Sequence, residues 1–63
     1  MKTRYYLVDN VGRYATYDIK RGPSMTSVKA LAYAWDTWRG AEDQRALYER
    51  ELKAELTVEE EVA

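Results

Sequence analysis

The residues of this sequence best equipped for chemistry are two tyrosines, Tyr6 and Tyr14, with Arg4, Val8 and Thr16 beside them. The chemistry they suit is recognition. Exposed tyrosine bordered by arginine is a composition enriched at binding surfaces, where a rigid ring supplies contact area and its hydroxyl a polar handle. The same rings could instead stack on unpaired bases while Arg4, Arg13, Lys20 and Arg21 meet phosphates. A sequence pI of about 5.3 weighs against that second use, since a nucleic-acid-binding domain is expected to be basic.

A second candidate lies in KRGPSMTS, where Lys20, Arg21 and Ser24 precede or open a predicted helix. Unpaired N–H groups at a helix start attract anions, and two cations nearby would help. A plain connector ending in a Ser or Thr cap needs nearly the same residues, and it is the preferred reading. The run Glu59–Glu61 is read as a solvated tail rather than as bait for a basic partner.

Catalysis has little to work with. The 63 residues include no histidine and no cysteine, so a general base near neutral pH would have to be a strongly shifted carboxylate or lysine. No nucleophile and base are brought together by spacing, and the three glycines are isolated instead of forming a phosphate loop. The expectation is a non-catalytic protein with no cofactor and no metal.

The elements that must position these residues begin with a period-two pattern. Thr3, Tyr5 and Leu7 alternate with Arg4, Tyr6 and Val8, as in a half-buried strand. DNVG then supplies a type I turn, with Asp9 first and Gly12 free to take a positive φ as a bulge. That turn pairs Asp9 with Arg13, Leu7 with Ala15, Tyr5 with Tyr17 and Thr3 with Ile19. Tyr5, Leu7, Ala15, Tyr17 and Ile19 would form the core face; Arg4, Tyr6, Val8, Tyr14, Thr16 and Asp18 the other. Gly22 and Pro23 break the second strand. From Val28, apolar residues recur at helical spacing (Val28, Leu31, Trp35, Trp38), and Gly40 can terminate that helix. Tyr48, Leu52 and Leu56 make the stripe of a second helix, with Glu49 and Lys53 as an i, i+4 pair.

The sequence thus predicts one α+β domain, 1–63, of ββαα order. A two-stranded antiparallel hairpin over about 2–20 packs on a Trp-bearing helix over about 25–39. A charged second helix follows over about 41–56, then an acidic tail over 57–63 that frays. Tyr6, Val8 and Tyr14 are then covered either by the second helix or by a partner.

The net charge of −1 conceals a polarity that could steer such a partner. Residues 1–23 hold five cations against two carboxylates, whereas residues 41–63 hold three against eight. No apolar run is long enough to span a bilayer, and no leader follows Met1, so a cytoplasmic protein is expected. The leading functional reading is a protein-binding module, an inhibitor or adaptor of the kind encoded by phages, docking on another protein. Nucleic-acid binding through the basic hairpin ranks second. Assembly as a homodimer through an open sheet edge is the third reading.

Overall fold

The computed structural model describes residues 2–62. Its elements are β1 (Thr3–Asp9), β2 (Tyr14–Asp18), β3 (Gly22–Thr26), a 3₁₀ turn (Lys29–Leu31), α1 (Trp38–Leu52) and β4 (Leu56–Val62). The four strands form one antiparallel sheet in the order β3-β2-β1-β4. The helix packs on one face of it. The α+β class stands, but the ββαα order does not: the described residues form four strands and one α-helix where two strands and two helices were expected.

The first hairpin follows its turn chemistry. The Asp9 carboxylate accepts from the N–H groups of Val11 (3.1 Å) and Arg13 (2.7 Å) and from Arg13 Nε (2.7 Å). Gly12 takes φ of 84°, in the left-handed region that a side chain disfavours. Val8 faces Tyr14, which is the register set by pairing Asp9 with Arg13. A second turn of similar design follows, with Asp18 accepting from the N–H groups of Lys20 and Arg21 and Gly22 at φ of 82°. Pro23 therefore does not end the sheet but sits in β3 opposite Tyr17. Its missing N–H is tolerated because β3 is an edge strand.

Beyond Ala15 the predicted pairing fails. Residues 31–35 run between the open ends of β1 and β2. Tyr5 exchanges both backbone hydrogen bonds with Trp35 (2.9 and 2.8 Å), and Tyr33 N–H donates to the Ala15 carbonyl (3.0 Å). Tyr5 thus pairs with Trp35 and not with Tyr17. Tyr17 and Ile19, expected in the core, are 59% and 94% exposed. Two strands joined by a tight turn twist apart as they lengthen. A third segment with free N–H and C=O groups fills the gap.

The helix predicted over 25–39 does not form. Its stretch becomes β3, the 3₁₀ turn and the extended wedge, and of its stripe only Trp35 packs against the core. Periodicity alone seldom holds a helix, since most helical stability comes from a buried face. Here the backbone groups around Trp35 are satisfied by the sheet instead. Gly40, expected to terminate that helix, is the third residue of α1, and its N–H donates to the Thr37 hydroxyl that caps the helix (3.0 Å). At the other end Lys53 takes the left-handed conformation (φ 51°), closing the helix four residues before the predicted end at 56. Glu49 does not pair with Lys53. It accepts from Arg45 (3.3 Å) and from the Leu56 N–H (2.9 Å), tying the helix to the start of β4.

The tail expected to fray is β4. It runs antiparallel to β1 along its whole length, from Thr3 opposite Val62 to Asp9 opposite Leu56. Leu56 and Val58 face α1 and join Leu7, Ala15, Ala41 and Tyr48 in the core. The core is small: Leu7 and Leu56 are its two large, fully buried side chains.

Candidate binding site

The sheet brings Arg4, Tyr6, Val8, Tyr14 and Thr16 onto the face away from α1. Arg4 lies opposite Glu61, Tyr6 opposite Glu59 and Thr16 opposite Ser24. The Tyr6 and Tyr14 rings meet edge to face, with centroids 5.9 Å apart. Lys29, from the 3₁₀ turn, lies over both, its Nζ 5.1 Å from the Tyr6 centroid and 5.7 Å from that of Tyr14. The ammonium also bonds Glu61 and stands 3.7 Å from Glu59. Tyr6 is left 5% exposed. No second helix covers this face among the described residues; Lys29, from the chain's own connection, lies over Tyr6 and Tyr14. Lys20, Arg21 and Ser24 lie in the β2–β3 turn and in β3, so there is no helix start beside them to supply N–H groups to an anion.

These ion pairs set the protein's response to pH. Glu61 is held below the ordinary glutamate value, chiefly by the Lys29 hydrogen bond, and Glu42 likewise by Arg45. For Asp9, burial pushes the carboxyl up, but the hydrogen bonds from Arg13 and Val11 outweigh it and the net shift is downward. A depressed folded pKa stabilises fully above the unfolded value and is lost as pH falls through the folded one. Lys29 is raised, chiefly by Glu61, so its contribution is complete below the unfolded value of 10.5 and is lost as pH climbs past it. With no histidine to titrate, the urea midpoint should stay flat between about pH 6 and 9 and fall below about pH 4.5. A step near neutral pH would contradict these assignments.

The open concave surface lies elsewhere. A cleft of about 460 Å³ is lined by Tyr17 from β2, Tyr33 and Trp35 from the wedge, and Gly40, Asp43, Gln44 and Tyr48 from one side of α1. Trp35 is its central wall. Its ring lies 4.7 Å from that of Tyr33, inclined at 53°, and meets Tyr48 edge to face at 5.9 Å. Burial raises the Tyr48 pKa, and Tyr33 and Tyr17, which line the same cleft, raise it further. Gly40 keeps the floor low: a Cβ at this position would stand 3.1 Å from the Thr37 hydroxyl and 3.5 Å from Trp35 Cδ1. Among the described residues Asp43 makes no ion pair.

Sequence reasoning missed this site. It placed Tyr17 in the core and Trp35 in a helical stripe. The signal available was the i, i+2 spacing of Tyr33 and Trp35, which puts both rings on one side of an extended chain. The fold and site together define a small α+β sheet-and-helix domain with an open aromatic cleft. No protein-family model, curated protein or solved structure matches the chain. Among the described residues no helix is long and apolar enough to cross a membrane.

Proposed function

We propose that the protein is a non-catalytic binding module, an inhibitor or adaptor, that docks on another protein through the side bearing the aromatic cleft. The observation that carries this reading is where the large apolar side chains are spent. A domain of this size buries only about 60% of the surface its unfolded chain exposes, and every buried ring counts. Yet Tyr17 and Tyr33, both in the cleft lining, are 59% and 49% exposed, and Trp38 at the start of α1 is 55% exposed. Exposed apolar surface of this kind marks interaction sites, and tyrosine and tryptophan are the residues that carry binding energy in them.

The other readings fare worse on the same geometry. Against base stacking on Tyr6 and Tyr14 weighs Lys29, which lies over both rings, with Glu59 and Glu61 beside Arg4 and Tyr6. Antiparallel self-pairing of two β4 edges would set the Glu59–Glu61 runs against each other, and the β3 edge carries Pro23.

The test compares the two faces. A tagged protein should retain a specific protein from a lysate; Tyr33→Ser with Trp38→Ser should lose it, while Arg4→Ser on the opposite face keeps it. Loss with Arg4→Ser alone would move the docking surface to the far face, and retention by both variants would end the reading.

A further inference from the structure

We infer that the cleft is a receptor for a single arginine side chain of the partner, the guanidinium lying between the aromatic walls. The inference rests on the docking function proposed above and names the group that the docking partner inserts. Three features lead to it. The walls are aromatic: Tyr17, Tyr33, Trp35 and Tyr48 surround the space, and aromatic faces attract cations, indole most of all. The charge is complementary: Asp43 is the lone ionised group in the lining, it makes no ion pair among the described residues, and no lysine or arginine lines the cleft. The polar atoms can accept hydrogen bonds: the Asp43 carboxylate, the Gln44 amide oxygen and the tyrosine hydroxyls of the lining offer several acceptors around one volume.

The last feature selects among cations. A quaternary ammonium has no hydrogen to donate and would leave these acceptors unpaired. A lysine ammonium donates, but it is compact and strongly hydrated. Guanidinium is planar, stacks on rings while donating from its edges, and is weakly hydrated, which matches tilted walls with acceptors at the rim. The cleft is larger than a methylammonium cage needs, and it leaves room for the aliphatic stem and the flanking backbone of an arginine in a peptide. The positive end of the α1 dipole lies close by, but it fades within the first turn and its Gly40 N–H is already taken by Thr37. Asp43 stands beyond that turn with a full charge.

The experiment is an NMR titration of the isotope-labelled full chain with N-acetyl-arginine amide. The Trp35 indole and the Gly40 and Gln44 amides should shift saturably, with a dissociation constant of about 1 mM or weaker, as befits a fragment. N-acetyl-lysine amide and tetramethylammonium should bind at least about threefold more weakly. Asp43→Asn, an exposed isosteric change whose spectrum reports the fold directly, should weaken the arginine probe about fivefold or more. Shifts confined to other residues, equal binding of the three probes, or no effect of Asp43→Asn would overturn the inference. The capture experiment is read separately: a partner still lost on Tyr33→Ser with Trp38→Ser leaves the docking function standing even if the arginine probe fails.

Discussion

Deleting residues 56–63 is expected to unfold the protein outright, with loss of its far-UV circular dichroism transition and of amide chemical-shift dispersion. The argument is one of magnitudes. At about 0.05–0.15 kcal/mol per residue, a domain of this length has roughly 3–9 kcal/mol of stability in all. Truncating one buried leucine to alanine alone costs about 2–5 kcal/mol, and the deletion removes Leu56 entirely. It also uncovers Leu7, removes Val58 from the core, and leaves β1 with an unpaired edge along seven residues. The acceptor on Glu49 loses the Leu56 N–H as well. A fraying tail would behave oppositely, and a truncated chain that melts like the parent would refute β4.

Tyr6→Ala is expected to come close to the same result, whereas Tyr6→Phe should be nearly neutral. Emptying the space of a buried large aromatic costs roughly 3–5 kcal/mol, a large part of what this domain has. The ring also seats the Lys29 ammonium and the edge of Tyr14, so its removal loosens the connection that crosses this face. The hydroxyl matters far less, because its hydrogen bond to Glu61 is long at 3.4 Å. Urea denaturation of the two variants separates ring from hydroxyl. If Tyr6→Ala kept its midpoint while Tyr6→Phe lost it, the ring would not be the buried element and the place of Lys29 would have to be reconsidered. Tyr14 is only partly buried, and Tyr14→Ala should cost visibly less.

The Tyr6 face illustrates how much a reading of pattern could and could not reach. Alternation correctly set Tyr6, Val8 and Tyr14 opposite Leu7 and Ala15, because side-chain direction in a strand is a local property. What lies over that face was a different kind of question. The answer is Lys29, 23 residues along the chain from Tyr6, held there by Glu61 on a strand 55 residues away from Tyr6. Nothing in the spacing of Val28, Lys29 and Leu31 advertises it. The helical periodicity from Val28 to Trp38 was real as a pattern, yet the chain spends it on a 3₁₀ turn and a wedge. Likewise Leu56, Val58 and Val62 alternate as a strand should, but three glutamates between them hide the signal until Lys29 offsets two of the three.

The sequence by itself determined the first hairpin turn, the β1–β2 register near it, the burial of Leu7 and Ala15, and the presence of a helix carrying Tyr48 and Leu52. Each of these depends on atoms within a few residues: an Asp side chain reaching its own turn, a glycine at positive φ, a stripe along one helix. The tertiary structure alone decided which segment pairs with β1, whether Trp35 belongs to a helix or a sheet, and where four aromatic rings open into a cleft. Those outcomes are competitions between distant segments for the same backbone hydrogen bonds and the same small core, and the winner is set by the sum of their contacts, not by any one stretch of the chain.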